Sequence, residues 1–512
     1  MERLAVLLGH LPPPLTRGAL TPAPTAAAQE AAPVEAAARE IAGQRAGVAS
    51  PTGRSYPRGT SVSLMGNMEP VRDETFGPLL LVHGSLPSDL DGRFVRNGPN
   101  PVLEQFGRPG YHEFSGDAML HAVDLKGGVG SYMNRWVRTQ KRDMEVEKGR
   151  PLKQAETMGA DGRFMGSANT SLVVHAKQLL ALYEADRPYV MSAPGLETLG
   201  QATYEGRLAH NMTAHPKVCP RTGELVFFGY DLMAPVVHYS VADRDGRLLR
   251  TLDIPTRGGK PVMMHDMAIT ESYSILLEFP LYFELERAMK GDKMPYIHDT
   301  SSPSHFAVLP RHAKSVEEAQ WFQGTSAMAF HIANAWEEGE TIKLVGCPAE
   351  RFSFQYAESK SSMLREWTFD LRTGATKERQ LDSAHVEFPV IHPEKTGAHN
   401  SYVWAANFAG PGAPFHSIRG CIKYDLANGH SLRHEFVGNR WGGECVFAPR
   451  VGGTAEDDGY LLTYTYNADD SSTELYVVDA RTMSPEPVAI LRTPQRVPFG
   501  FHGIWIPRAD CS

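Results

Sequence analysis

The chain has 512 residues, 42% of them hydrophobic, which is enough to bury a sizeable core. Its formal net charge of −8, without any long basic run, argues against nucleic acid as a partner. The five cysteines are far apart and form no CxxC pair, which argues against zinc ribbons, iron–sulfur clusters and a disulfide framework, and no apolar run reaches the roughly 18 residues of a transmembrane span.

Residues 1–60 differ in composition from the rest of the chain. They are rich in alanine and proline, carry Arg3 and Arg17, and contain only Glu2 as an acid before Glu30. This composition predicts a transit peptide and therefore a plastid location. Because the segment is poor in serine, a disordered tail on a cytoplasmic protein is the alternative. Within the segment, residues 34–42 are a candidate helix.

The remainder, residues 61–512, is predicted to be a single domain of short strands. Turns rich in glycine, aspartate, asparagine and proline separate apolar runs over hundreds of residues, which predicts an all-β sandwich array or propeller. A second candidate helix covers residues 316–321. The clearest predicted strands lie at 225–230, 273–283 with a break at Pro280, 364–372, 375–381, 460–466, 474–478 and 487–491.

Four histidines each begin or end a strand-like apolar run. Neutral imidazole is the commonest metal ligand, and four of them would form an all-nitrogen site for iron, copper, zinc or nickel. In a propeller the inner strands approach one axis, so ligands from distant segments can converge without any local spacing rule. Because the chain has 20 histidines, a single one is more often a hydrogen-bonded residue than a ligand. The four are His215, His265, His331 and His502.

A competing metal site is suggested by the run Ala384-His385-Val386-Glu387. It contains H-x-E, the local part of a 2-His-1-carboxylate iron triad, which with one distant histidine would form an oxygenase that needs a co-substrate. This hypothesis leaves the other histidine motifs without a role. Substitution of His385 discriminates between the two, because a four-histidine site would retain its iron.

Eight segments between Gly66 and Trp505 together carry a resemblance to a known family. They are residues 96–101, 180–189, 213–217, 265–271, 331–337, 387–389, 442–444 and 497–503. The chain resembles the carotenoid cleavage dioxygenases, most of all their plant and algal branch; this family also includes stilbene-cleaving dioxygenases and the retinoid isomerohydrolase. The resemblance implies a seven-bladed β-propeller with a helical cap over an apolar tunnel.

The resemblance also implies a metal site with one Fe(II) per chain. The family pattern selects the histidine before Pro-Lys as the first ligand, although His210 is a rival for that position. Thr170 matches a position whose side chain crowds one coordination site of the iron. The implied ligands are His215, His265, His331 and His502. The glutamates implied to accept the free N–H of a ligand imidazole are Glu184, Glu387 and Glu444.

The implied reaction is oxidative cleavage of one carbon–carbon double bond of a carotenoid or apocarotenoid by O2, giving carbonyl products. The polyene supplies the electrons, so no reductant is needed. Stilbene cleavage, retinoid-type isomerohydrolysis on the same iron and a non-catalytic binding propeller are the alternatives. The tunnel would bind the lipophilic substrate through aromatic side chains, for which Phe114, Trp136 and Phe330 are candidates, and the sequence does not identify the double bond.

The segment between Arg138 and Ala168 departs from the family pattern. In plant relatives this region is longer and contributes an apolar helix to membrane contact, whereas here it is short and charged. We therefore expect only transient, peripheral membrane contact during uptake of a lipophilic substrate.

Overall fold

The computed structural model describes residues 55–511, except 108–110, 154–155, 160–162, 232–233, 291, 293, 355–357 and 411–415. Nearly all of the Ala/Pro-rich segment 1–60, including its candidate helix, therefore lies outside the described residues, and the predicted division at residue 60 stays a prediction. The described residues form seven antiparallel sheets and one two-stranded ribbon. The sheets are the blades of a β-propeller, so the predicted all-β, seven-bladed architecture is confirmed.

The strands of each blade are given in hydrogen-bonding order, with blades numbered from the N-terminal side. Blade 1 contains Phe76–Pro78, Val129–Trp136, Ala118–Lys126, Gly92–Pro99 and Gly503–Pro507. Blade 2 contains Ser171–His175, Gln178–Leu182, Tyr189–Met191 and Thr198–Gln201. Blade 3 contains Lys217–Val218, Leu225–Tyr230, Val236–Ala242 and Leu248–Pro255. Blade 4 contains Met267–Ile269, Tyr273–Glu278, Ser304–Pro310 and Gln320–Gly324.

The remaining three blades follow the same pattern. Blade 5 contains Met328–Glu338, Thr341–Ala349, Arg365–Asp370 and Thr376–Gln380. Blade 6 contains Val386–Val390, Tyr402–Phe408, Ile418–Asp425 and His430–Glu435. Blade 7 contains Arg440–Trp441, Gly459–Asn467, Ser472–Asp479, Ala489–Arg492 and Leu80–Gly84, with Val446–Pro449 also paired to Gly459–Asn467.

Both ends of the described chain close the ring. The C-terminal strand Gly503–Pro507 pairs with Gly92–Pro99 in blade 1, where Trp505 lies opposite Phe94. The N-terminal strand Leu80–Gly84 pairs with Ala489–Arg492 in blade 7. Because each of these two blades combines strands from opposite ends of the sequence, separating the first blade from the last would break backbone hydrogen bonds.

The hydrophobic core lies between the faces of neighbouring blades. The middle strand Leu225–Tyr230 is buried at every residue, because both faces of its sheet are covered. Outer strands such as Thr376–Gln380 are polar and largely exposed. The largest apolar cluster joins blades 3, 4 and 5 and includes Phe228, Leu276 and Phe306. Because the blades pack in this way, the first strands of successive blades lie around one axis.

Two short α-helices and a ribbon lie on one side of the propeller. Helix α1, Gln140–Lys148, begins at Thr139, whose side chain accepts the N–H of Arg142, and ends at Gly149 with φ 62°. Helix α2, Leu285–Met289, lies between the two ribbon strands, Leu281–Phe283 and Tyr296–His298. Single 3₁₀ turns cover Val62–Leu64, Gly66–Met68, Glu113–Ser115, Val316–Glu318, Pro393–Lys395 and Arg508–Asp510.

The helix predicted at 316–321 is wrong beyond its first turn. A capping box formed by Ser315 and Glu318 closes the single turn Val316–Glu318. The chain then enters the outer strand of blade 4, where Trp321 lies opposite Ala307. Cross-strand pairing therefore overrides the local helical preference. In the part of the chain that the structure describes, every helix is too short or too polar to cross a membrane.

Candidate metal centre

The structure brings the four histidines of the distant motifs together at the hub of the propeller. Each lies within an innermost strand of its blade or one or two residues before such a strand. One ligand atom from each imidazole lies within 4.8 Å of those of the other three. The contributors are His215 before Lys217–Val218, His265 before Met267–Ile269, His331 within Met328–Glu338, and His502 before Gly503–Pro507.

The spacing of these nitrogens suits a metal ion. Nε2 of His215 lies 3.0 Å from Nε2 of His265. Two nitrogens bound at right angles to one ion, at about 2.1 Å each, would lie about 3.0 Å apart. The Nε2 atom of His331 is buried and has no hydrogen-bond partner among the described residues. A buried acceptor without a partner is costly, and a bound cation would satisfy it.

The imidazoles are in the chemical state that metal binding requires. Burial holds the pKa of His331 well below its usual range, and the neighbouring imidazoles of His502 and His265 lower it further. Burial, followed by the same kind of imidazole neighbours, has the same effect on the pKa of His215. Both rings are therefore neutral at physiological pH and keep a lone pair for a cation.

Three glutamates lie behind three of the histidines, each facing Nδ1. Oε2 of Glu184 lies 2.5 Å from Nδ1 of His265, and Oε1 of Glu444 lies 2.9 Å from Nδ1 of His502. Oε2 of Glu387 is hydrogen-bonded to Nδ1 of His331. When Nδ1 donates to a carboxylate, the lone pair is left on Nε2, which lies towards the other imidazoles.

Glu387 reaches the hub through an irregular strand. The register of Val386–Val390 shifts between Glu387 and Val390, and Phe388 has a φ of 53°. A β-bulge of this kind re-aims a side chain. The N–H of Phe388 donates to Oε2 of Glu387 at 2.5 Å. Burial raises the pKa of the Glu387 carboxyl to about 8, and the N–H of Phe388 and the nearby imidazoles act in the opposite direction. A metal cation held by the four imidazoles would lower this pKa and keep the carboxylate ionised.

His215 differs from the other three, because no carboxylate among the described residues faces its imidazole. Its motif is held through Thr213, whose hydroxyl donates to the carbonyl of His265 at 2.9 Å and accepts the N–H of His215 at 3.1 Å. Lys217 and Asp266 join the same two motifs through an ion pair of 2.7 Å. Sequence reasoning gave Lys217 and Asp266 no role, although each stands directly beside a candidate ligand motif.

Thr170 lies at the hub end of blade 2 and lines the cavity above the histidines. Its carbonyl accepts the N–H of His502, and its hydroxyl donates to Asn169 at 3.1 Å. Asn169 is fully buried and donates to the carbonyls of Phe114 and Gly116. This network fixes Thr170 beside His502.

The two rival histidines lie outside the cluster. His210 is bound at Nδ1 by the carbonyl of Asn211 and at Nε2 by the hydroxyl of Ser240, at 2.5 and 2.9 Å. His385 is bound at Nδ1 by the carbonyl of Gly410, at 2.7 Å. The structure therefore does not assemble the H-x-E site, and the carboxylate of Glu387 faces His331 instead.

A cavity of about 1240 Å³ opens onto His265, His331 and His502. Aromatic rings form part of its wall. The centroid of the Phe330 ring lies 5.0 Å from that of His265 and 4.9 Å from that of Phe352. Phe114 also lines the cavity. Trp136 does not, because it packs in the core with Val71 and Met119. Core packing was the expected role of all three aromatic residues, and the structure shows it for Trp136, whereas Phe114 and Phe330 line the cavity.

Helix α1 contributes charged residues to the far wall of this cavity. Lys141 lies 2.9 Å from Asp117 and 3.0 Å from Glu145, where both acids are buried and the lysine is nearly so. The ion pairs raise the pKa of Lys141 despite the opposing effect of burial. The sequence signalled the charge of this segment but not that it would form part of the cavity wall.

Comparisons with known proteins agree with this architecture. A sequence profile of the family described as retinal pigment epithelial membrane protein matches residues 68–507. The carotenoid 9,10(9′,10′)-cleavage dioxygenase 1 of Pisum sativum is 37% identical, over 86% of this chain and 89% of its own length. The probable carotenoid cleavage dioxygenase 4, chloroplastic, of Arabidopsis thaliana is 31% identical, over 86% of this chain and 81% of its own length.

Solved structures give the same result. The lignostilbene dioxygenase of Pseudomonas brassicacearum superposes with a TM-score of 0.81 at 27% identity, covering 89% of this chain and all of that one. A cobalt-substituted apocarotenoid oxygenase of Synechocystis superposes with a TM-score of 0.76 at 28% identity, covering 86% of this chain and 97% of that one. The chain therefore belongs to the carotenoid oxygenase family.

Proposed function

We propose that this protein is a non-haem Fe(II) dioxygenase that cleaves a carbon–carbon double bond of a carotenoid or apocarotenoid. The observation that carries this proposal is the convergence of four imidazoles from four blades at the base of an aromatic-lined cavity. The relatives named as carotenoid cleavage dioxygenases support the same substrate class. We propose one ferrous ion per chain, bound by His215, His265, His331 and His502.

Some residues of the chain orient the ligand imidazoles, and others exclude water from the site. Glu184, Glu387 and Glu444 each accept an Nδ1 proton, so that the opposite nitrogen of the ring keeps its lone pair. When bound there, ferrous iron supplies the activation of dioxygen. Thr170, beside His502, limits the space on one side of the centre.

The cavity supplies the rest of the selectivity. Apolar and aromatic walls exclude water and bind a conjugated hydrocarbon along its length, so the bond that is cleaved depends on how deeply the chain enters. The balanced reaction is R–CH=CH–R′ + O2 → R–CHO + OHC–R′. Both oxygen atoms of one O2 end in the two carbonyl products, and no external reductant is consumed.

We propose that substrate enters from a membrane surface at the mouth of the cavity. Met158 and Phe164 line the cavity and are 52% and 40% exposed, respectively. Met289, at the end of helix α2, is 81% exposed beside the lining residue Ala288. Apolar side chains at a cavity mouth favour contact with lipid. Flotation with phosphatidylcholine vesicles should weaken in Met289→Glu, and unchanged flotation would contradict this site of contact.

We also propose that the protein is located in the plastid. The composition of residues 1–60 supports this, as does the chloroplastic relative in Arabidopsis thaliana. A fusion of residues 1–60 to a fluorescent protein should enter plastids. Retention of that fusion in the cytoplasm would reject the proposal.

The experiment that tests the activity uses the purified, iron-loaded protein with a panel of carotenoids, apocarotenoids and resveratrol under ¹⁸O2. We expect one labelled oxygen in each of the two carbonyl fragments of a carotenoid or apocarotenoid. Products that carry no label from ¹⁸O2 but become labelled in a parallel incubation in H2¹⁸O would indicate hydrolytic, isomerohydrolase-type chemistry. Cleavage of resveratrol alone would indicate a stilbene dioxygenase. Either result would overturn the proposed activity.

A further inference from the structure

The three carboxylate–imidazole pairs at the hub differ in what holds the carboxylate. Glu444 and Glu387 each accept a backbone N–H as a second contact, from Gly503 at 2.7 Å and from Phe388 at 2.5 Å. Glu184 instead accepts a side-chain donor, because the hydroxyl of Tyr230 lies 2.6 Å from its Oε1. Its other oxygen, Oε2, faces His265. The support of the His265 arm therefore depends on one phenol.

The position of Tyr230 is fixed by its strand and by hydrogen bonds from a neighbouring segment. It ends the strand Leu225–Tyr230 in blade 3 and is 6% exposed. The side-chain amide of Asn211 donates to the carbonyl of Glu184 at 2.6 Å and to the carbonyl of Tyr230 at 3.2 Å. Tyr296 is a neighbour of Tyr230, and both side chains line the cavity. These contacts fix the distance between phenol and carboxylate across two blades.

The protonation state of Tyr230 agrees with its role as a donor. Burial holds its pKa well above the usual range, and the carboxylate of Glu184 raises it further. The phenol therefore keeps its proton and donates it to Oε1 of Glu184. A carboxylate bonded at both oxygens loses its freedom to rotate, and this orients the imidazole that it binds.

We infer that Tyr230 is a positioning residue for the metal centre, which holds Glu184 in the orientation that fixes the imidazole of His265. This inference rests on the proposed function, because it requires a divalent metal at the four imidazoles. Tyr230 and Tyr296 also line the cavity, so this arm is the one of the three whose support is in contact with the substrate space.

The test is Tyr230→Phe, which removes the hydroxyl and keeps the ring. Fe(II) and Co(II) affinities are measured by competition with a chelator, and the d–d absorption spectrum of the Co(II) protein is recorded. We expect metal affinity to fall about 10- to 100-fold, as for other residues that support a ligand. The Co(II) spectrum should change, while the unfolding temperature of the metal-free protein stays close to that of the wild type.

Tyr464→Phe is the matched control. Tyr464 is also a buried tyrosine, 5% exposed, and its hydroxyl has no hydrogen-bond partner among the described residues. Removal of that hydroxyl should change neither metal affinity nor the Co(II) spectrum.

A double-mutant cycle separates positioning from general packing. Glu184→Gln should lower metal affinity as much as Tyr230→Phe does, and the double variant should bind metal no more weakly than Glu184→Gln alone, because Tyr230 acts through Glu184. Unchanged affinity and spectrum in Tyr230→Phe, or fully additive losses in the double variant, would overturn the inference. A wild-type protein that binds neither Fe(II) nor Co(II) would instead reject the proposed function.

Discussion

The hub and the α1 side of the cavity are both walls with buried charged or polar residues, but their hydrogen bonding differs. At α1 the charges are satisfied among themselves, since Lys141 binds both Asp117 and Glu145. At the hub the glutamates satisfy one side of the imidazoles, while Nε2 of His331 has no hydrogen-bond partner in the described part of the chain. A closed polar set stabilises the fold, whereas a set of buried acceptors that face one another is suited to binding a cation.

The largest effect is expected from His502→Ala, which tests whether the hub, unlike the α1 side of the cavity, binds a metal ion. Loss of one of four ligands should lower metal affinity by more than about 100-fold, beyond the effect of losing a residue that only supports a ligand. Iron content per chain should fall from one towards zero, and cleavage should be lost. The control is His385→Ala, which removes a cavity-lining histidine outside the cluster and should leave iron content unchanged. Loss of iron in the control would favour the H-x-E site instead.

Lys141→Met tests the other side of the comparison. It leaves two buried acids without their cation, and we expect the free energy of unfolding to fall by about 3–5 kcal/mol. Urea unfolding of the metal-free protein measures this. Metal affinity should not change, because the buried triad, formed by Asp117, Lys141 and Glu145, is separate from the histidine cluster.

Lys290→Met is the matched control for this charge. Lys290 pairs with Glu286 at the surface, where the two side chains are 72% and 80% exposed, and its removal should cost less than about 1 kcal/mol. Equal losses in the two lysine variants would contradict a special role for the buried triad.

Phe330→Ala tests whether the cavity wall next to the histidine cluster binds and positions the substrate. The ring lies against His265 and Phe352, so its removal widens the cavity next to the centre. We expect KM for a polyene to rise about 10-fold through lost apolar contact and the ratio of cleavage products to change. Trp136→Phe, in the core away from the cavity, should leave the product ratio unchanged.

The effect that is furthest from the metal chemistry concerns His210, a histidine that lines the cavity and binds protein groups outside the cluster. Burial lowers its pKa to about 4 from the usual 6.5. The unfolded chain therefore binds more protons between pH 6.5 and 4, so this contribution to stability is present above pH 6.5 and is lost as the pH falls through that window. The slope is at most about 1.4 kcal/mol per pH unit.

His210→Gln should flatten this part of the stability profile, because glutamine does not titrate. Urea unfolding at several pH values between 4 and 7 measures the slope, and iron content should match the wild type. An unchanged slope would show that the imidazole of His210 does not contribute to the acid sensitivity.

The buried strands were predictable because a run of apolar residues along the sequence is enough to indicate them. Leu225–Tyr230 and the break at Pro280 could be identified from apolar runs and a single proline, and the structure has both. The helix at 316–321 failed because the pairing of Trp321 with Ala307 joins segments with no local signal. Helix α1 was missed because its charged sequence gives a weak apolar face, and its burial depends on Asp117 in blade 1.

The sequence by itself determined the residue types at the hub, since each ligand motif places a histidine beside a short apolar strand. The motifs and the family resemblance also selected the four histidines that meet among the 20 of the chain. That Tyr230 rather than a backbone N–H supports Glu184 was decided only by the tertiary structure. The physical reason is that strand pattern and composition are local, whereas hydrogen bonds across the axis join residues tens to hundreds of positions apart. The distances between the blades are fixed only when the ring closes, that is, when the C-terminal strand Gly503–Pro507 pairs in blade 1 and the N-terminal strand Leu80–Gly84 pairs in blade 7.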